Sequence, residues 1–403
     1  MFDVKRNRER GVILKNTKRL ENLAGLWKYE GDLNGIDFSA VRPAIVAAVM
    51  ARFDFGGGWL DNGLIPYKLP ATIVAGSLSF SAANEHAITA IVGPSSCLRY
   101  SIDDAIQEPP ELIIELLKYL GFSKRNLPPI SINLYNIIPR GSGLGGSGLV
   151  ISCTLAAIFG YYRGIRYPLD NLRKLIEYPM AIEQNQGTGG GWNDTVPGLM
   201  PPGIKLIQTT PDNPHRYQVT RMPQDITDEL AKLCILIDLK HVRKAAPFCH
   251  SIHSGFESKD PRTMQMLIDI EGYAREIWNL LLKRNFSSFG ALMSKSWDEV
   301  CRVETRSTLP IVPTIDELLE GLMAGRKIGG AGGGGFMLIV CKSPTHRDRA
   351  IMRLREKFAD QEDGKENIRV YAPQFPPIGL QVSYHRKTET VEYDDQITST
   401  VIE

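Results

Sequence analysis

PRGSGLGGSGLV, Pro139 to Val150, is the stretch on which the reading of this chain turns. Five glycines fall between Gly141 and Gly148. Before them PISINLYNII (129–138) alternates as a strand does, and after them SGLVISCTLAAIFGYYRG (147–164) runs apolar at helical length. A strand, a glycine turn and a helix in that order let backbone N–H groups converge on an anion without side chains in the way. The helix start adds unpaired N–H donors and the positive end of its dipole. A polyphosphate is the natural ligand. No GK[ST] closes the turn, so it is not a P-loop. No βαβ unit with a placed acidic residue follows, so it is not a dinucleotide fingerprint. The plain alternative is a tight strand–helix turn that binds nothing.

Two further glycine segments lie at a distance. MARFDFGGGWLDN (Met50 to Asn62) sets the charged pair Arg52 and Asp54 before three glycines, then Trp59 and Asp61. Polar groups around a close-approach backbone suit a hydroxylated substrate; a hairpin corner with surface charges is the other reading. GGAGGGGFMLIV (Gly329 to Val340) puts six glycines in seven positions before an apolar strand. Glycine weakens a strand, so this backbone is expected to lie close to another loop or to a ligand.

Around these segments the chain reads as α+β. ATIVAGSLSF and HAITAIVG are expected strands, and PELIIELLKYLGF (110–122) a helix ending near Gly121. PLDNLRKLIEYPMAIEQ is a helix expected to break or kink at Pro179. LAKLCILIDL is a strand, 263–302 holds long helices, HRDRAIMRLREKF is a basic helix, and IGLQVSY is the expected last strand, with frayed residues from about 386. The polar TTPDNPH (209–215) places a boundary there. The division is 1–45 as a helical N-terminal extension, 46–212 as a first domain and 213–403 as a second. The length of 403 residues allows two sizeable cores, and a net charge of +2 gives no polyanion-binding signature. The basic first residues lack an apolar signal-peptide core, and no run of about 18 apolar residues occurs. Six scattered cysteines read as reduced thiols, and the expected location is cytoplasmic.

The order and spacing of the three glycine segments resemble the GHMP kinases, a superfamily that includes galactokinase, homoserine kinase and mevalonate kinase. PRGSGLGGSG resembles their phosphate-binding motif, ARFDFGGGWLDN their substrate motif and GGAGGGG their C-terminal glycine loop. EQNQGTGGGWNDTVPGLMPPGIKL (183–206) is similar to the L-fucokinase and heptose 7-phosphate kinase branch. The resemblance covers about residue 45 to the C-terminus. It implies a ribosomal protein S5 domain 2-like domain over 46–212 and a ferredoxin-like domain over 213–403, with ATP between them. It implies ATP and Mg²⁺ as cofactors. ATP would lie on Pro139, Arg140, Gly141, Ser142, Gly143, Leu144, Gly145, Gly146 and Ser147, and the metal on Ser147 and Glu183. Asp194 and Arg52 would carry the chemistry. Asp61, Trp59, Gly190, Gly191, Gly332 and Gly333 would meet the substrate. The expected reaction is phosphoryl transfer to the anomeric hydroxyl of an L-fucose-like sugar. Sugar and ATP are the expected partners, with no nucleic acid or membrane and a homodimer left open.

Each residue also has an ordinary reading. Ser147 suits a helix cap, Glu183 a solvated helix face, Asp194 a turn and Arg52 a surface ion pair. Gly146 stands where the family commonly has a serine. LDNGLIPY, LPATIVAGS and LIDLKHVRKAAP (236–247) depart from the fucokinase pattern on the sugar side. Two rivals therefore stay open: a heptose 7-phosphate 1-kinase, for which Arg140, Lys205 or Arg243 would bind the second phosphate, and a catalytically inactive sugar sensor. His241, Cys249, His250 and His253 cluster in sequence, as a transition-metal site or as a helix end. Trp59 and Trp192 would wall the sugar or fill the core.

Overall fold

The computed structural model describes residues 32–402, apart from 34, 39, 41, 81–84, 124, 188, 201–202, 243–244, 359–367, 386–389 and 393–398. Most of the expected helical extension over 1–45 lies outside the described residues.

The chain runs β1 (Ile45–Val49), β2 (Ala51–Gly56), β3 (Ala71–Leu78), β4 (Ile88–Pro94), β5 (Arg99–Ile102), β6 (Ala105–Ile106), α1 (Glu111–Tyr119), β7 (Ile130–Asn136), α2 (Gly146–Arg163), α3 (Leu172–Asn185), β8 (Ile204–Thr210) and β9 (Asn213–Arg221). It continues α4 (Gln224–Ala231), β10 (Cys234–Asp238), α5 (Ala246–Glu257), α6 (Pro261–Leu282), α7 (Phe286–Val303), α8 (Ile311–Leu318), β11 (Met323–Ile328), β12 (Phe336–Cys341), α9 (Pro344–Phe358), β13 (Arg369–Tyr371), β14 (Gln381–Tyr384), β15 (Thr390–Glu392) and β16 (Ser399–Ile402).

One sheet has the order β15-β14-β1-β4-β7-β5-β6, and a second the order β16-β9-β8-β3-β2. Helix α2 is buried from Gly148 to Tyr162 and packs on β1, β4 and α3. That is why its sequence is apolar all round rather than on one stripe. In the second half, β11-β12-β10-β13 form an antiparallel sheet. Counted along the chain, these four strands lie in the order 2-3-1-4, with helices between the first and second and between the third and fourth. This is the ferredoxin-like arrangement that the family resemblance implied.

Three features differ from the sequence reading. Helix α3 runs through Pro179 without a break. Proline lacks the N–H that Leu175 O would accept four residues back. The Ser152 hydroxyl of α2 stands 2.7 Å from that carbonyl and takes the place of the missing donor. The residues after 386 include two strands: β15 pairs with β14, and β16 pairs with β9. They close sheet edges in the first half of the chain, so the pairing partner holds them where their own polarity would not. Finally, β8 and β9 form a hairpin whose turn lies at 211–212, so the expected boundary after 212 falls at this turn.

Candidate active site

The phosphate-type loop forms because β7 ends at Asn136 and α2 begins at Gly146, leaving nine residues that must turn tightly. Gly141, Gly143 and Gly145 all have positive φ, which side chains resist. A Cβ on Gly143 would stand 2.3 Å from Gly329 O, and one on Gly145 would stand 2.5 Å from Asp194 O. Gly329 to Gly335 press on this loop from the ferredoxin-like half. Phe336 N–H donates to Ser142 O at 3.0 Å, and a Cβ on Gly335 would meet Ser142 O at 2.1 Å. The third glycine segment therefore braces the first, backbone against backbone.

Beneath the loops lies a cavity of about 750 Å³. It gathers Arg52, Trp59 and Asp61 from the Met50–Asn62 segment, and every residue from Pro139 to Ser147 except Leu144. Glu183, Gly190 and Asp194 complete the lining among the residues expected at the site. Four expected residues lie off it. Leu144 is fully buried, and its carbonyl accepts the Arg52 N–H at 3.2 Å. Gly191 backs Asp61, where a Cβ would come within 2.1 Å of Oδ2. Gly332 faces Trp297 and the Ser307 carbonyl, and Gly333 faces the Phe248 ring. Gly330 and Ala331 line the cavity in their stead. The glycine loop turns its far end into the hydrophobic core, which only the packing of α5 and α7 decides.

The charged groups form a chain. Arg52 bonds Asp194 through Nη2, and its Nη1 lies 3.0 Å from Gly143 O and 3.3 Å from Asp54 Oδ1. Asp54 in turn pairs with Lys327, whose Nζ also donates to the Asp54 carbonyl at 2.8 Å. Burial works against the Arg52 charge, but Asp194 and Asp54 outweigh it, so the guanidinium is held above its ordinary pKa. Asp61 accepts the Asn193 N–H at 2.8 Å. Burial and the Asp194 charge push its carboxyl up to about 7. Burial and Asp194 also push Glu183 up to about 8, opposed by a hydrogen bond with Ser147. Trp59 holds φ 100°, an uncommon conformation for a bulky side chain and of the kind that collects at functional sites.

Reading the sequence missed part of this site. Asp54 was visible as the i+2 neighbour of Arg52 on one strand, hence on one face. Asn62, Asn193 and Cys249 also line the cavity. Lys327 carried no signal, because its partner lies 273 residues away. Among the described residues, no three His, Cys, Asp or Glu side chains gather to hold a metal ion. Cys249 and His253 of the histidine cluster instead pack against Gly189. Trp192 is fully buried against Tyr217 and fills the core. Lys205 is also fully buried, with Nζ 2.9 Å from Pro197 O and 2.8 Å from Gly203 O, so it cannot meet a ligand in the cavity. Arg243 lies outside the described residues.

Comparison with known proteins agrees with this geometry. The family model for the N-terminal domain of GHMP kinases matches residues 111–201, and the model for their C-terminal domain matches 278–360. Models of both domains of the GHMP kinases thus match the chain, in the family's order. A bifunctional fucokinase/GDP-fucose pyrophosphorylase of Arabidopsis thaliana is 26% identical over 76% of this chain and 30% of that protein. A D-glycero-alpha-D-manno-heptose 7-phosphate kinase of Campylobacter jejuni is 23% identical over 60% of this chain and 69% of that protein. The chain spans less than a third of the fucokinase relatives it matches. Among solved structures, a Lactococcus lactis galactokinase complexed with galactose shares the fold. Its TM-score is 0.60 at 13% identity, over 89% of this chain and 99% of that one. No helix among the described residues is long and apolar enough to cross a membrane.

Proposed function

We propose that this protein is a GHMP kinase, an ATP-dependent sugar kinase that phosphorylates the anomeric hydroxyl of an L-fucose-like sugar. The observation that carries the reading is the meeting of Asp194, held by Arg52, with the glycine loop and the first turn of α2 in one cavity. The loop's N–H groups and the helix dipole suit the phosphates of ATP. The sugar oxygen attacks the γ-phosphorus, the bond to the β,γ-bridging oxygen breaks, and ADP leaves. Asp194 accepts the hydroxyl proton, and Arg52 holds that carboxylate in place.

Ser147 and Glu183, hydrogen-bonded neighbours beside the start of α2, would hold a magnesium ion through their oxygens. Gly190 packs against the Glu183 carboxylate, where a Cβ would lie 1.9 Å from Oε2. Bound magnesium would neutralise charge on the transferred phosphoryl group. The sugar end carries Asp61 and Asp194, while Arg52 is already engaged by carboxylates, a setting that suits hydroxyl donors better than a second phosphate. A heptose 7-phosphate acceptor is the second reading, favoured by the Campylobacter relative and by Arg140 at the cavity wall.

The test is ADP release from ATP and magnesium across L-fucose, D-arabinose, galactose, glucuronate and heptose 7-phosphate, with phosphorus NMR of the product. Turnover of L-fucose or D-arabinose to the 1-phosphate is expected. Turnover of heptose 7-phosphate alone would replace the first reading with the second. ATP and sugar binding without turnover of any acceptor would favour a sensor.

A further inference from the structure

Among the charged side chains that the ferredoxin-like half sends into the first half, one stops short of the cavity and turns to the charges behind it. Lys327, on β11 beside the glycine loop, is 5% exposed and absent from the cavity lining. Its ammonium sits between the rings of Phe53 and Trp297, each 5.8 Å away. Its hydrogen bonds go to Asp54, once at the carboxylate and once at the backbone carbonyl. Asp54 is 1% exposed and takes two further donors, Arg52 Nη1 at 3.3 Å and the Gly330 N–H at 3.2 Å. Arg52 then reaches Asp194. Four buried or half-buried charges thus alternate in sign, Lys327 to Asp54 to Arg52 to Asp194, from one half of the molecule to the other.

Such a chain has a directional consequence. Asp54 and Asp194 compete for a single guanidinium. Lys327 neutralises Asp54 from behind, so Arg52 spends one nitrogen on Asp194 and shares the other between Asp54 and the Gly143 carbonyl. Without Lys327, Asp54 would be a buried carboxylate with Arg52 as its only side-chain cation, and the guanidinium would be drawn toward it. A low-dielectric interior makes that pull strong.

We propose that Lys327 is a positioning residue for phosphoryl transfer. By satisfying Asp54 it leaves Arg52 free to hold Asp194, and it makes this geometry depend on the docking of the ferredoxin-like half. The inference rests on the kinase reading above.

The test uses the full chain, with Lys327→Met, Lys327→Arg and the double variant Lys327→Met/Asp54→Asn. Lys327→Met should lower kcat on the order of 10²-fold, the scale of a misplaced catalytic group. KM for ATP and sugar should stay within about threefold. Lys327→Arg, which keeps the charge, should recover part of kcat. The double variant buries no unpaired carboxylate and leaves no rival for Arg52, so its Tm and its kcat should both return toward wild type. A double variant whose Tm recovers while its kcat stays low would show that competition from Asp54 is not what Lys327 relieves and overturn the proposal, as would normal kcat in Lys327→Met. A crystal structure of Lys327→Met separates this question from the kinase reading. Loss of the Arg52–Asp194 bond supports the proposal whatever the acceptor proves to be, and an unchanged Arg52 defeats it.

Discussion

At the residue scale, the chemistry rests on where each carboxylate finds its cation. Asp194 has Arg52, and we expect Asp194→Asn to separate binding from turnover. The amide keeps the size and part of the hydrogen bonding but cannot take the proton, so single-turnover phosphorylation should fall on the order of 10²–10⁴-fold. Equilibrium sugar binding should change only a few-fold; lost binding with normal chemistry per bound sugar would make Asp194 a recognition residue instead. Asp61 is a different case, since burial and the Asp194 charge raise its pKa from 3.8 to about 7. An acid raised on folding adds stability that is complete below its unfolded value and is lost as the pH climbs through its folded value. Asp61 therefore costs the ligand-free protein stability across pH 4 to 7. Asp61→Asn stays neutral throughout and should melt above wild type at pH 8, by up to about 4 kcal/mol from the size of the shift. The gap should narrow as the pH is lowered to 5. Parallel melting curves across that range would show that Asp61 is not held in a raised state. Arg52, Ser147, Glu183 and Asp194 could be picked out because the segments that carry them resemble GHMP kinase motifs in order and spacing; taken singly, each suits an ordinary cap, turn or ion pair. Asp61 could be picked out too, but its state could not, since that depends on Asp194 across the cavity.

At the element scale, α2 and α3 are tied where α3 would otherwise fail. The Ser152 hydroxyl, 2.7 Å from Leu175 O and 2.9 Å from Gly148 O, stands where Pro179 leaves a carbonyl without its helical donor. Helix α3 also carries Glu183, one turn beyond the proline. Ser152→Ala should cost about 1–3 kcal/mol, the usual penalty for a buried group left unpaired. Adding Pro179→Ala should return most of it, because alanine supplies an N–H to Leu175. Chemical denaturation of Ser152→Ala, Pro179→Ala and the double variant checks this, and additive losses would contradict it. The expected break at Pro179 was a sound inference from local chemistry. A helix context that repairs the break from a neighbouring element leaves no mark in the sequence of α3 itself.

At the scale of the whole molecule, the two halves are interleaved rather than strung in series. The chain leaves the ferredoxin-like sheet at β13 and returns to the first half, where β14 and β15 extend one sheet and β16 another. A chain ending at His385 should expose the edges of β14 and β9, lower Tm by several degrees and aggregate more readily, since open edges invite pairing. An unchanged melting curve would make the last strands dispensable. What the sequence determined by itself was local: the strand, glycine loop and helix of the phosphate-type site, the two other glycine segments, and the acidic and basic residues beside them. These are legible because glycine placement, turn chemistry and apolar periodicity act over a few residues at a time. Tertiary structure alone decided which neighbours those segments meet. It turned Gly332 and Gly333 toward Trp297 and Phe248, sealed Lys205 among carbonyls and Trp192 in the core, and brought Lys327 to Asp54. The partner of a buried charge or of a strand edge is chosen by packing across the whole fold, and separations of tens to hundreds of residues carry no periodic signal.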